Sequence, residues 1–116
     1  MTSVSPTTAA AAAFVAGHKD LALGLGAELA EHSHDPDAFA AGLRKAFATL
    51  ADPSYIAGLQ FVAPGIGPIH GVRWPLLTAL ARGFRQATRR DDAGPLLYVI
   101  ERLLREPQLE ARWFAF

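Results

Sequence analysis

Proline marks the start of each apolar segment from residue 36 onward, at positions 36, 53, 75, 95 and 107. Two of these prolines follow an aspartate, in Asp35-Pro36 and Asp52-Pro53. Aspartate accepts hydrogen bonds from the free N–H groups of a helix N-terminus, and proline fits the first helical turn, where no N–H is needed. Because proline also stops a helix that precedes it, a chain punctuated in this way is limited to short helices of about 10–15 residues.

Apolar residues recur every three or four positions after these starts, which predicts helices with one buried face. The clearest example begins at Pro36 and carries Phe39, Leu43, Phe47 and Leu50. Further helices are predicted from Pro53 to about Val62, from Pro75 through Phe84, from Pro95 through Leu104, and from Gln108 to Phe116.

The first 34 residues are predicted to form an N-terminal helical segment with a flexible start, followed by a helical-repeat domain over residues 35–116. One helix from about Pro6 to His32 fits the first segment. Its interior contains Gly17, Gly24 and Gly26, and each glycine costs roughly 1 kcal/mol relative to alanine. We therefore expect this helix to be kinked or divided in two.

The fold class predicted is all-α. Apolar residues make up 51% of the chain, and no long stretch alternates between polar and apolar residues as a half-buried strand does. About five or six short helices, each with one face to cover, favour stacked antiparallel hairpins. A HEAT-like α-solenoid and a compact orthogonal bundle both satisfy this pattern.

Arginine is concentrated in the second half of the chain, although the formal net charge is zero. Residues 1–58 carry three basic and six acidic side chains, whereas residues 59–116 carry eight arginines and five acids. Arg82, Arg85 and Arg89 have the i, i+3, i+7 spacing of one helix face, and Arg90 follows. Such a face can contact phosphates; arginine near a helix C-terminus that simply faces solvent is the alternative.

No set of residues in the sequence indicates catalysis, a metal or a cofactor. The absence of cysteine excludes disulfides and thiolate zinc sites. Glu28 and His32 form one i, i+4 pair, whereas a metal site needs three or four ligands, so we interpret the pair as a hydrated helix end. The loop from Gly65 to Gly71 matches no phosphate-binding pattern and follows no strand. We interpret this loop as structural.

The sequence predicts a soluble, cytoplasmic protein without a membrane partner. No apolar run reaches the roughly 18 residues of a transmembrane helix. The alanine-rich stretch near the N-terminus lacks the basic residues that begin a secretory signal peptide, because the first Lys or Arg is Lys19.

The last predicted helix ends on large aromatic residues and has no C-cap. Trp113, Phe114 and Phe116 would be exposed there unless something covers them. We expect either further helical repeats, which would make this chain a truncated part of a longer protein, or an interface with a second copy. A non-enzymatic helical interaction module, possibly a homodimer, is therefore one hypothesis for the function.

Residues 51–84 contain a distinctive set of side chains: Ala51-Asp52-Pro53, Tyr55, Ala57-Gly58, Gly71-Val72-Arg73, Pro75, Leu80, Ala81, Arg82 and Phe84. Farther along the chain come Glu106-Pro107 and Glu110-Ala111-Arg112, with Ala115. This set resembles the N-terminal part of the DNA alkylation repair family, the AlkD-like DNA glycosylases. The resemblance covers about residues 36–116.

The resemblance implies HEAT-like repeats that curve around duplex DNA through a basic face. Members of that family excise cationic N3- and N7-alkylated purines, using a carboxylate and aromatic side chains from repeats downstream of the matched part. No catalytic residue is therefore carried over to this chain. The leading hypothesis is a DNA-binding part of an AlkD-like protein, with five tentative phosphate contacts: Arg73, Arg82, Arg85, Arg89 and Arg90.

Overall fold

A computed structural model describes residues 6–62, 69–89, 94–107 and 109–114. Within these ranges the chain forms six α-helices and one 3₁₀ turn, and no strand. The all-α prediction with five or six helices is therefore confirmed. The helices are α1 (Pro6–Leu29), α2 (Pro36–Leu50), α3 (Pro53–Val62), α4 (Trp74–Thr88), α5 (Gly94–Leu103) and α6 (Leu109–Phe114), with the 3₁₀ turn (Ala30–His32) after α1.

The helix starts agree with the aspartate and proline signals. The Asp35 carboxylate accepts a hydrogen bond from the Ala38 N–H at 3.1 Å, and the Asp52 carboxylate accepts one from the Ser54 N–H at 3.0 Å. α3 spans the predicted range, and α4 has Pro75 in its first turn. Local capping chemistry is sufficient to place these boundaries.

α1 is one continuous helix over Pro6–Leu29, so the expected division at its glycines does not occur. Gly26 instead lies where α1 crosses α4. A Cβ atom built on Gly26 would clash with the Leu80 carbonyl oxygen and lie 2.8 Å from the Phe84 nitrogen, and one on Gly83 would clash with the Leu23 carbonyl oxygen. The two backbones therefore approach closely through a reciprocal pair of glycines.

The core is built mainly from side chains of α2, α4 and α5. Its largest fully buried side chains are Phe39, Leu43, Phe47 and Leu50 from α2, Leu76 and Leu80 from α4, Val72 before α4, and Leu103 from α5. The apolar spacing predicted for α2 corresponds to its buried face.

The helices contact partners that are distant along the chain. The most extensive contacts join α1 to α4 and α2 to α5. In a solenoid each repeat contacts only its neighbours, so a compact bundle accounts for these pairings better than an extended stack. No helix in the described ranges is both long and apolar enough to cross a membrane.

Candidate functional site

An apolar groove of about 540 Å³ opens between α4 and α5. Phe39, Val99 and Leu103 are buried residues in its lining. The groove is lined on the α4 side by Trp74, Thr78, Ala81, Phe84 and Arg85, on the α5 side by Leu96 and Ile100, and by Trp113 and Phe114 of α6. Among these lining residues Arg85 alone is charged, and none is a carboxylate or histidine, so the groove is suited to binding an apolar group rather than to acid–base chemistry.

Five aromatic residues line the groove. The Trp74 and Trp113 rings meet edge to face with their centroids 4.5 Å apart. The rings of Phe39, Phe84 and Phe114 form a cluster, with the centroid of Phe114 5.9 Å from that of Phe84 and 6.2 Å from that of Phe39. Trp113 and Phe114, which the sequence placed at an interface, are thus half-buried and pack against the core while lining the groove.

Arg82, Arg85 and Arg89 are all exposed, and within the described ranges none of the three forms an ion pair. Successive residues of an α-helix are rotated by 100°, so the three side chains leave α4 within an arc of about 60°. The buried residues Leu76 and Leu80 lie on the opposite side. The face predicted from the i, i+3, i+7 spacing therefore exists as a solvent-facing surface, which we call the arginine face.

Arg73 has a different environment from the arginine face. Its Nε donates to the Asp52 carboxylate at 2.8 Å, and its guanidinium lies 4.8 Å from the centre of the Tyr55 ring. The hydrogen bond from Arg73 is the largest influence on Asp52 and holds the pKa of that carboxyl below its usual value, while burial opposes the shift. Arg73 thus ties the start of α4 to the start of α3, and its guanidinium already has a partner.

Glu110 anchors α6 to the segment that leads into α4. Its carboxylate accepts hydrogen bonds from the backbone N–H groups of His70, Gly71 and Val72, at 2.8, 2.7 and 3.1 Å. Gly71 has a φ of 87°, in the left-handed region that favours glycine. We call this arrangement the Glu110 clasp.

Glu106 forms the centre of a second buried polar cluster. Its carboxylate is within 3.0 Å of Arg102 and 3.4 Å of Arg44, and Arg102 also binds Asp37 at 2.8 Å. These ion pairs connect α2 to α5 and to the turn after it. Glu106 and Glu110 are both buried. The Glu106 carboxylate already binds arginine side chains, and the Glu110 carboxylate already binds backbone N–H groups. Their role is therefore structural.

The Nε2 atom of His70 is buried and has no hydrogen-bond partner among the described residues. Its ring lies 5.0 Å from the Phe47 ring, and burial lowers the pKa of its imidazole, although Glu110 and Glu106 pull the pKa upward. The sequence had offered no role for this histidine.

Several predicted positions lie outside the described residues. These are Arg90 of the tentative phosphate contacts, Phe116 of the tentative interface, and the loop from Gly65 to Pro68. In the ranges that are described, no three histidine, aspartate or glutamate side chains come together as metal ligands.

Sequence reasoning missed Glu106 and Glu110. Both belong to short segments after α5 that carry no distinctive spacing, and the N–H donors of the Glu110 clasp lie 38 to 40 residues away in the sequence. A carboxylate that caps a distant loop has no local signature comparable to Asp-Pro.

No protein-family model, no curated protein and no solved structure matches this chain.

Proposed function

We propose that this chain binds the phosphate backbone of duplex DNA through the arginine face of α4. The observation that carries the proposal is the exposure of Arg82, Arg85 and Arg89 on one side of a helix whose other side is buried. In contrast, Arg73 forms an ion pair with Asp52. Arg102 forms ion pairs with Asp37 and Glu106. Among the described residues the guanidinium groups of Arg82, Arg85 and Arg89 have no ion-pair partner, so they are available for a polyanion.

The geometry of the arginine face suits a row of phosphates. Arg82 and Arg89 are seven residues apart, which corresponds to about 10 Å along the helix axis. Each phosphate that an arginine neutralises releases condensed counterions and contributes about −0.9 to the slope of log K against log salt concentration. Three contacts predict a slope of about −2.7, or roughly 40-fold weaker binding at 200 mM than at 50 mM salt.

The test is a titration of a fluorescently labelled 20-base-pair duplex at 50 and 200 mM NaCl. The triple variant R82A/R85A/R89A should bind more weakly and lose most of the salt dependence. The matched control K19A/K45A/R105A removes three exposed charges elsewhere. This control should retain most of the affinity and most of the salt dependence. Binding that ignores salt, or that weakens equally in the two variants, would eliminate the arginine face as the contact surface.

The resemblance to AlkD-like proteins supports the same proposal from the sequence. It implies a helical module that helps to hold DNA while residues of further repeats excise an alkylated purine. We assign no catalytic role to any residue of this chain, and we propose that it binds DNA without cleaving the glycosidic bond by itself.

A non-enzymatic protein-interaction module is the second candidate function. It is favoured by large apolar side chains that remain exposed around the groove: Trp74 is 56% exposed and Leu97 of α5 is 65% exposed. Exposed apolar patches on soluble proteins often mark binding surfaces.

A further inference from the structure

The apolar surface of α5 extends beyond the groove that it lines. Leu96 and Ile100 face the groove, whereas Leu97 and Leu104 lie farther around the helix and are 65% and 46% exposed. From helical geometry, Leu97, Ile100 and Leu104 have the i, i+3, i+7 spacing of one stripe. The groove and this stripe together form one continuous surface, which we call the apolar trough.

The trough lies between two helices. α4 and α5 both line the groove, together with the buried Phe39 and the half-buried Phe114 of α6. Amphipathic helices bind in apolar grooves of this kind by inserting residues spaced i, i+3, i+4 and i+7.

Charged side chains beside the trough favour a particular charge on one side of a bound helix. Among the described residues that line the groove, Arg85 is the one charged side chain; it is exposed, and no described carboxylate pairs with it. On the far side the stripe is bounded by Glu101, which is exposed. A partner that carries a carboxylate on the flank facing α4 would therefore be favoured over one without it.

We propose that the apolar trough between α4 and α5 binds an amphipathic helix of a partner polypeptide that presents a carboxylate to Arg85. This inference rests on the second candidate function and names the chemistry of its partner. A small apolar ligand would fill the groove and leave Leu97 and Leu104 uncovered. A second copy laid α5 against α5 would join two convex surfaces and leave the groove empty.

The natural fluorescence of the protein provides a direct measurement. The chain contains two tryptophans, and both Trp74 and Trp113 line the groove. Two 18-residue helical peptides without tryptophan serve as probes. Both have leucines at i, i+3, i+4 and i+7; one carries glutamates along one flank, and the other carries glutamines at the same positions. Saturable changes in tryptophan emission report binding of each.

The expected result is binding of both peptides, with about fivefold tighter binding of the glutamate peptide. Arg85→Gln should abolish that preference, so that the variant binds the two peptides with equal affinity. Arg82→Gln is the matched control, because Arg82 is on the same helix but does not line the groove; it should retain the preference. Ala81→Phe, which narrows the groove without adding a tryptophan, should weaken the binding of both peptides, with circular dichroism used to verify its helicity.

Three results would overturn the proposal. The first is no saturable binding of either peptide to the wild-type protein at 1 mM. The second is binding without preference for the glutamate flank. The third is a concentration-dependent doubling of mass in light scattering that Leu97→Asp removes, since the occupant would then be a second copy. R82A/R89A should weaken DNA binding but not peptide binding, so failure of one proposal is distinguishable from failure of the other.

Discussion

At the scale of single residues, Glu110 fixes the path of the chain into α4. Three backbone N–H groups converge on one carboxylate that is 6% exposed. The bonds from Gly71 and Val72 are buried, and a buried N–H without an acceptor costs about 1–3 kcal/mol. The charge of Glu110 strengthens each bond, because hydrogen bonds to an ionised acceptor are stronger than neutral ones.

Glu110→Gln should lower the free energy of unfolding by about 2 kcal/mol. The glutamine keeps one oxygen, but its NH₂ group faces an N–H donor where the second oxygen had accepted. Urea denaturation followed by circular dichroism measures the change. Glu101→Gln makes the same chemical change at an exposed site on α5 and should shift stability by less than about 0.5 kcal/mol. Equal effects in the two variants would contradict the structural role of the clasp.

Residues differ in how far the sequence predicts their role, and the distance to their partners explains why. Asp35 and Asp52 cap helices that begin at the next residue, so the sequence shows both the cap and its target. The arginine face is also visible from spacing within one helix. The Glu110 carboxylate accepts a hydrogen bond from the His70 N–H, 40 residues away in the sequence, and Nε2 of the His70 ring has no hydrogen-bond partner among the described residues. Only the folded chain brings Glu110 and His70 together.

At the scale of helices, the crossing of α1 and α4 determines how the N-terminal segment packs. The sequence indicated only the cost of glycine inside a helix, and therefore predicted a kink. The structure shows the compensating gain, because Gly26 and Gly83 allow the two backbones to approach. That pairing is a property of two helices at once and has no signature in either alone.

Gly26→Ala and Gly24→Ala should change stability in opposite directions. Alanine favours the helix by roughly 1 kcal/mol at either position. At Gly24 nothing lies within 4 Å of the new methyl group, so that gain is retained. At Gly26 the methyl group meets the backbone of Leu80 and Phe84, and α1 must move away from α4 at a cost of about 1–3 kcal/mol. Thermal unfolding measures the change in stability of each variant. Two changes of the melting temperature with the same sign would contradict the close approach of α1 and α4 at Gly26.

At the scale of the whole molecule, the ionisable groups with lowered pKa make the fold sensitive to acid. The pKa of His70 is lowered mainly by burial, and that of Asp52 mainly by its hydrogen bond with Arg73. When the pH falls below 6.5, the ordinary pKa of histidine, the unfolded chain binds a proton at His70 before the folded chain does. Stability is therefore lost as the pH falls from 6.5 toward the folded pKa of His70, and again below 3.8 as Asp52 is protonated.

Urea denaturation between pH 7.5 and 5 should show this loss as a lower midpoint at the acidic end. His70→Gln removes the titrating imidazole, so the variant should have a flatter pH profile over this interval even if it is less stable at pH 7.5. If the urea midpoint of His70→Gln falls with pH as steeply as that of the wild-type protein, other groups cause the acid sensitivity.

The overall architecture was predicted only in part. Helical content, helix starts and the buried face of α2 follow from local pattern, because capping and periodicity act within a few residues. Which helix packs on which depends on complementary surfaces far apart in sequence. The contacts of α1 with α4 and of α2 with α5 could therefore be decided only by the three-dimensional structure.

The pairing of α1 with α4 also has a consequence for how the chain folds during synthesis. α1 is synthesised before α4, and α4 is complete only after Thr88 has been added, 59 residues after Leu29. At about 5–20 residues per second this gap lasts roughly 3–12 s. Throughout that interval α1 lacks the helix with which it makes its most extensive contacts, and an isolated helix is only marginally stable in water. α1 is thus made several seconds before the helix that packs most extensively against it.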